Sequence, residues 1–234
     1  MVAENLNILI LAAGKGTRMK SSLPKPLHAV CGLPIIAHIL RAAQQLNPSE
    51  IGVVIGHGSE QVKATVLENL SAWGITAPVD FFVQTDLSGS ASAVKAALPF
   101  LQRSKQVMVL NGDTPLLKAQ TLRAMAETFN KEQAGALVFG VSVPDPSGYG
   151  RIVREENGQF KAIVEDADAD AQTRQIKEIN SGMYVFDSTA LQSVLTKLAP
   201  QGPKHEFYLT DTLALIKAAG KPAVVFNRDR KSVV

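Results

Sequence analysis

The feature that most restricts this chain lies near its N-terminus. The apolar run Leu6–Leu11 reads as a buried strand. It opens directly into Leu11-Ala-Ala-Gly-Lys-Gly-Thr-Arg-Met-Lys-Ser-Ser-Leu-Pro-Lys25. No carboxylate stands between Asn5 and Ser49, whereas Lys15, Arg18, Lys20, Lys25 and Arg41 all fall in that window. A strand that runs into a glycine-rich, wholly basic loop is suited to an anion. Glycines admit the backbone, exposed N–H groups donate, and Arg and Lys neutralise charge. The loop therefore reads as a polyphosphate-handling element, with a nucleoside triphosphate as the expected ligand. The plainer alternative is a βα turn with a few solvated lysines.

Two common phosphate motifs do not fit. A Walker loop needs four residues between its glycines and then Lys-Ser/Thr, but Gly14 and Gly16 are too close and no such pair follows. The dinucleotide fingerprint needs a third glycine where this chain has Met19.

Beyond this loop, apolar strands alternate with helical stretches, the signature of a parallel sheet. Strands are expected at Ile51 to Ile55, Phe81 to Val83, Gln106 to Leu110 and Ala136 to Phe139. Helices are expected after Pro34, from Glu60 to Leu70, through an Ala-rich stretch ending near Leu101, and from Lys118 to Asn130. The pattern changes at the turn-rich segment Val141 to Gly150. A hairpin follows, Arg151 to Arg154 and Phe160 to Val164 around Asn157-Gly158. A strand from Ile179 to Phe186, helices over Leu191 to Leu198 and Phe207 to Ala219, and a last strand at Ala223 to Phe226 complete the reading. The acidic run Glu165 to Asp170 reads as a solvated loop.

The fold class is thus a Rossmann-like α/β domain: a mostly parallel twisted sheet with a β-rich second half. Residues 1–234 form one domain, with about 1–115 as the nucleotide-binding part and 116–234 as the acceptor-binding part. At 46% hydrophobic residues the chain can bury a large core, and the +3 net charge, focused at one loop, does not call for a nucleic acid. The single Cys31 fits a reducing compartment. No apolar run nears the roughly 18 residues of a membrane span, and no signal-peptide pattern is present. A cytoplasmic protein without membrane partners is expected. His28, His38, His57 and His205 read as structural, and Trp73 and Cys31 as packing residues.

Ligands of open α/β sheets collect at the carboxyl ends of the strands. Three candidates would meet there: the basic loop, Gln84 to Ser90, and Asn111-Gly112-Asp113. Asp113 could hold a hard cation, since Mg²⁺ takes one or two carboxylates plus phosphate oxygens and water, or it could be a turn Asp bonding its own backbone. Gln84 could meet a pyrimidine edge with two bonds, or be a plain strand-end amide. By itself it does not choose uracil over cytosine, because flipping the amide swaps donor and acceptor.

The Leu-Ala-Ala-Gly-Lys-Gly-Thr-Arg-Met run with Leu23-Pro-Lys25 resembles the sugar-nucleotide pyrophosphorylases. It is most similar to the uridylyltransferase domains of bifunctional N-acetylglucosamine-1-phosphate uridyltransferases. The resemblance runs in order from Leu11 to Asp211. It implies a glycosyltransferase-A-like nucleotidyltransferase fold and Mg²⁺-dependent formation of UDP-N-acetylglucosamine, a cell-wall precursor, from UTP and N-acetylglucosamine 1-phosphate. It implies catalytic roles for Lys15, Arg18 and Lys25, and a metal on Asp113 in Leu110-Asn-Gly-Asp-Thr-Pro-Leu116. Nucleotide contacts would come from Leu11, Ala12, Ala13, Gly14, Gln84, Gly89, Ser90 and Gly112. Sugar-phosphate contacts would come from Gly150 in Gly148-Tyr-Gly-Arg151, from Glu165 and Asn180, and from Tyr208 and Thr210 in Phe207-Tyr-Leu-Thr-Asp211. Ala91 and Ser92 depart from the family pattern. Pro26 resembles the hexose-1-phosphate uridylyl- and thymidylyltransferases, which makes glucose 1-phosphate the alternative acceptor. The family's second metal ligand, an Asn in a Gly-Val-Asn-like segment, has no counterpart up to Val234. The expectation is either a piece of a longer enzyme or a stand-alone relative with an altered metal site. Because the trimerising half of that family is not in this sequence, a monomer or weak self-association is expected. A non-catalytic nucleotide-sugar-binding module is the other reading.

Overall fold

A computed structural model describes residues 5–14, 16, 19–200 and 205–228. Strand β1 (Leu6–Leu11) lies at the centre of the main sheet. It pairs in parallel with β4 (Ile51–Ile55) on one side and β6 (Gln106–Asn111) on the other. Strand β5 (Val79–Val83) extends the sheet beyond β4, again in parallel. On the other flank β10 (Glu178–Asp187) runs antiparallel to both β6 and β7 (Ala136–Ser142). The edge strand β11 (Ala223–Arg228) returns parallel to β7. The hairpin β8 (Arg151–Arg154) with β9 (Phe160–Val164) hangs off β10. Earlier, β2 (Ala29–Val30) and β3 (Leu33–Pro34) form a separate small hairpin.

The central strands read as unbroken apolar runs because both their faces are covered. Leu6, Ile8 and Ile10 point to one face, into a core built with helices α1 (Ile35–Gln44), α2 (Ser59–Asn69) and α5 (Ala119–Lys131). Leu9 points to the other, where α3 (Ser90–Ala96), α4 (Leu98–Leu101), α6 (Ser188–Leu195) and α7 (Asp211–Ala218) pack. Each fully buried aliphatic side chain contributes about 1.5–3 kcal/mol, so the sheet centre is held from both sides.

This topology positions the site. The carboxyl ends of β1, β4, β5, β6 and β7 share one rim, and the antiparallel β10 brings Glu178 to Asn180 to the same rim.

Several local expectations change. The Ala-rich helix is two helices, because Pro99 in the first turn of α4 lacks the N–H that would continue α3. Helix α6 starts at Ser188 rather than Leu191, since Asp187 caps it by accepting from the Ala190 N–H at 2.7 Å. Residues Phe207 to Thr210 are not helical: the Phe207 N–H donates to the Ser88 carbonyl, and the Phe207 carbonyl accepts from Ala91. The acidic run is not a plain solvated loop, because Asp166 pairs with buried Arg151 at 2.9 Å. Trp73 is buried, as expected, but Cys31 is exposed at the tip of the small hairpin rather than packed.

Candidate active site

The site begins where β1 ends. The Ala12 N–H donates to the Val54 carbonyl at 2.8 Å, and the Gly112 N–H donates to the Leu11 carbonyl at 2.8 Å. These bonds fix Leu11-Ala-Ala-Gly14 beside the end of β6. The approach is so close that a Cβ on Gly112 would lie 2.7 Å from the Leu11 oxygen, so this position requires glycine. Gly14 faces open space.

Two adjoining cavities open on this rim, sharing Leu11, Gly14 and Asn111. The larger, about 580 Å³, is bordered by Ala13, Gln84, Gly89 and Ser90. The smaller, about 270 Å³, is bordered by Ala12, Gly16, Lys25, Gly112 and Asp113. In the smaller cavity the Lys25 ammonium donates to the Asp113 carboxylate at 2.6 Å. Lys25 opens a short 3₁₀ turn, Lys25–Leu27, stiffened by Pro24 and Pro26 and anchored by buried Leu27. Asp113 follows β6 in a turn that Thr114 closes by donating its hydroxyl to the Asn111 carbonyl. Lys15 and Arg18 lie outside the described residues.

The wall of the larger cavity is a tightly bonded loop. Gln84 is buried, and its amide nitrogen donates to the Asp86 carbonyl at 2.8 Å, to the Gly89 carbonyl at 3.2 Å and to the Ser92 hydroxyl at 2.5 Å. Gly89 has φ +117°, and a Cβ there would lie 2.5 Å from the Phe207 carbonyl oxygen. Ser90 starts α3, and its hydroxyl accepts from the Leu209 N–H at 3.0 Å. The non-helical Phe207 to Thr210 segment is thus a strap across the loop, and Lys95 sits 4.5 Å over the Phe207 ring.

The same strap carries the third group of residues. Thr210 occupies the N-cap position of α7 but makes no capping bond; its hydroxyl donates to Glu165 at 3.3 Å instead. A Cβ on Gly150 would sit 3.2 Å from the other Glu165 oxygen, and the Gly150 carbonyl accepts from the Asn180 N–H at 2.8 Å. Gly150, Glu165, Asn180 and Thr210 are therefore neighbours, although they lie on four separate segments. Burial raises the Glu165 carboxyl above its ordinary range; the Thr210 hydrogen bond opposes this, and Asp211, Asp168 and Glu206 add to it. Tyr208 is half-buried on the strap, and its phenol is raised by burial and by Glu206, Asp168 and Glu165. The Asn180 amide is partly committed within β10: its oxygen accepts from the Gly182 N–H, and its nitrogen donates to the Tyr184 hydroxyl at 2.9 Å.

Two residues that stand in the sequence motifs, but had no role of their own assigned from them, knit these groups together. Asn111 borders both cavities and donates to the Ser181 carbonyl at 3.0 Å, tying β6 to the β10 bulge beside Asn180. Arg151 is only 2% exposed; it donates to the Tyr149 carbonyl and to Asp166. It thereby clamps the residue before Gly150 to the residue after Glu165. The sequence signal for Asn111 was its place at the carboxyl end of an apolar strand, in Asn111-Gly-Asp113. The Gly-Tyr-Gly-Arg motif was the signal for Arg151.

Among the described residues no group of three His, Cys, Asp or Glu side chains could hold a metal. Asp113, paired with Lys25, is the carboxylate that borders the smaller cavity, and a single carboxylate suits a cation that draws its other ligands from phosphate and water. His28 and His38 bond to the backbone carbonyls of Leu23 and Val30, consistent with structural roles. A further cavity of about 660 Å³ lies beside β11 and contains none of the expected site residues. Its Arg154, Lys217 and Lys221 are all ion-paired, to Glu178, Glu155 and Asp187. No described helix is long and apolar enough to cross a membrane.

Comparison with known proteins gives the family and the fold. The family profile described as Nucleotidyl transferase matches residues 7–231. The chain is 41% identical over 226 residues to the bifunctional protein GlmU of Paraburkholderia phymatum, covering 97% of this chain and 48% of that protein. It is 43% identical over 221 residues to the GlmU of Neisseria meningitidis serogroup B, covering 94% and 46% respectively. The chain thus spans about half the length of these relatives. Its fold is similar to a crystal structure of UDP-glucose pyrophosphorylase complexed with UDP-glucose, with TM-score 0.79 at 20% identity over 96% of this chain and 90% of that one. The apo form of a UDP-glucose pyrophosphorylase gives TM-score 0.80 at 18% identity, with the same coverage. By sequence and by fold, the chain belongs to the nucleotidyl transferase family.

Proposed function

We propose that this chain transfers a uridylyl group from UTP to N-acetylglucosamine 1-phosphate, giving UDP-N-acetylglucosamine and pyrophosphate, with Mg²⁺ as cofactor. The observation that carries this reading is the Lys25–Asp113 pair, 2.6 Å apart, in a cavity that adjoins a second one walled by Gln84 and Gly89. A cation for phosphate and an anion for metal stand beside a pocket of nucleoside size.

The reaction asks for positioning and charge neutralisation rather than covalent chemistry by the protein. The acceptor's phosphate oxygen attacks the α-phosphorus in line, and pyrophosphate leaves. Leu11 to Gly14 and Gly112 offer backbone to the nucleotide, while Gln84, Gly89 and Ser90 take the nucleoside. Lys25 leaves Asp113 and bridges the α-phosphate and the incoming phosphate. Lys15 and Arg18 hold the triphosphate and neutralise the leaving pyrophosphate. Gly150, Glu165, Asn180, Tyr208 and Thr210 receive the sugar: carboxylate and amide groups suit its hydroxyls and acetamido group. Asp113 would hold Mg²⁺, which when bound offsets the mutual repulsion of the two phosphate substrates. Residues 1–115 would form the nucleotide half and 116–234 the acceptor half of one cytoplasmic, monomeric or weakly associating domain.

The test is product identification by mass spectrometry after incubation with UTP, Mg²⁺ and equal amounts of N-acetylglucosamine 1-phosphate and glucose 1-phosphate. UDP-N-acetylglucosamine as the main product supports the proposal. UDP-glucose as the main product replaces the acceptor. No nucleotide sugar, with UTP still bound, favours a binding module.

A further inference from the structure

Two walls of the proposed acceptor pocket are continued by longer elements. The strap Phe207 to Thr210 runs on into α7, and Glu165 directly follows β9. Helix and strand lie side by side in opposite senses, because Thr210 reaches Glu165 at one end and Lys217 reaches Phe160 at the other. Between these ends Phe160 and Ile163 of the strand share a buried core with Leu209, Leu213 and Ile216. The polar bonds at the two ends are unequal. At the pocket the Thr210 hydroxyl donates to Glu165 at 3.3 Å, which is long for an O–H···O bond. At the far end, roughly 10 Å along the helix, the Lys217 ammonium donates to the Glu155 carboxylate at 2.5 Å and to the Phe160 carbonyl at 2.6 Å. Glu155 and Phe160 flank the place where the register of the β8–β9 ladder shifts, between Val153 and Arg154, and a ladder bends where its pairing is disrupted.

We propose that Lys217 is a positioning residue for the acceptor sugar: its bonds to Glu155 and Phe160 fix hairpin β8–β9 against α7 and so set the distance across the pocket between Glu165 and Thr210. The inference rests on the nucleotidyl-transfer reading above and deepens it. Glu165 and Thr210 are needed by the sugar, so the spacing of the two walls is held from outside the pocket. Arg154 ties the hairpin to β10 through Glu178; Lys217 ties it to α7. The nucleoside loop is bonded to the strap separately, through Ser88, Ser90 and Ala91, so losing the Lys217 tie bears on the acceptor and not on UTP. The side chains of Lys217 and Glu155 are 31% and 40% exposed, and an ion pair of that exposure adds little to global stability. The tie acts on geometry rather than on whether the chain folds.

The experiment is initial-rate kinetics of the whole chain with UTP, N-acetylglucosamine 1-phosphate and Mg²⁺, for wild type, Lys217→Met, Glu155→Gln, the double variant and Lys217→Arg. Lys217→Met is expected to raise the acceptor's KM about threefold to tenfold, the worth of one hydrogen bond to the sugar, with the KM of UTP and kcat within about twofold of wild type. Glu155→Gln is expected to raise the same KM about twofold. The double variant should be no worse than Lys217→Met alone, because both changes act through one tie. Lys217→Arg, which keeps the charge and the donors, is expected to return the acceptor's KM toward the wild-type value. An unchanged acceptor KM in Lys217→Met overturns the proposal, as does an equal rise in both KM values, the mark of general loosening. A double variant whose effect is the product of the single ones overturns the Lys217–Glu155 pairing. If Lys217→Met does not fold by circular dichroism, Glu155→Gln decides: a selective rise in the acceptor's KM supports the tie, and no rise overturns it. A wild type that releases no pyrophosphate overturns the nucleotidyl-transfer reading itself, and is distinguishable because every other outcome requires wild-type turnover.

Discussion

Glu165, which the proposal assigns to the acceptor, is held as a carboxylate at a cost to stability. Its pKa is raised, first by burial and then by Asp211, Asp168 and Glu206, against the Thr210 hydrogen bond. A carboxyl raised in the folded state binds its proton more tightly there than in the unfolded chain. Its contribution to stability is full below the unfolded pKa and is lost as pH rises through the folded one. Glu165→Gln, which stays neutral and still accepts from Thr210, is expected to melt at or above the wild-type temperature at pH 7. That advantage should shrink as pH falls into the carboxylate range, in calorimetric scans from pH 4 to 8. The same variant should raise the acceptor's KM with little change in that of UTP. Gly89 makes the opposite case, a residue whose absence of a side chain is the function. With φ +117° and the Phe207 oxygen 2.5 Å from any Cβ, Gly89→Ala should cost on the order of 2 kcal/mol in urea denaturation and weaken UTP binding. Both Gly89 and Glu165 stand in motifs that could be read from the chain. Their partners could not be, because Phe207 and Thr210 reach them across sequence gaps that no local periodicity records.

At the scale of elements, the hairpin β8–β9 is set by Arg151. A buried cation needs its anion, and breaking a fully buried pair costs roughly 3–5 kcal/mol. Asp166 is 38% exposed, so Asp166→Asn should lose less, about 2 kcal/mol by denaturant unfolding. It should also raise the acceptor's KM more than that of UTP, since the clamp holds Gly150 and Glu165. The central strands were legible because a strand buried on both faces is written as a continuous apolar run, as in Leu6–Leu11 and Ile51–Ile55. The strap Phe207 to Thr210 was not. Its composition suits a helix, and its bonds to Ser88, Ala91 and Ser90, made in the folded state, keep it out of α7. The Arg151–Asp166 pair was hidden for the same reason: an acidic run looks solvated until the fold shows which cation lies beneath it.

Over the whole molecule, one sheet joins two cores, with Trp73 in the first and Tyr184 in the second. Because β1, β4 and β6 contribute side chains to both, the halves should unfold together. Trp73 fluorescence and far-ultraviolet circular dichroism are expected to give one coincident urea transition, whereas separate midpoints would show two independent units. The sheet also gathers the proposed site: its carboxyl rim sets Leu11 to Gly14, the Asn111-Gly-Asp113 turn and the start of β10 side by side. Lys25 and Asp113 meet there at 2.6 Å. The most direct test is the rate of pyrophosphate release by Lys25→Ala at saturating UTP, N-acetylglucosamine 1-phosphate and Mg²⁺, compared with wild type. A loss of about 10²–10³-fold, the usual effect of removing a charge-stabilising group, with the fold intact by circular dichroism, is the expected result. Near-normal turnover would contradict the assignment of this rim as the place where the phosphates react.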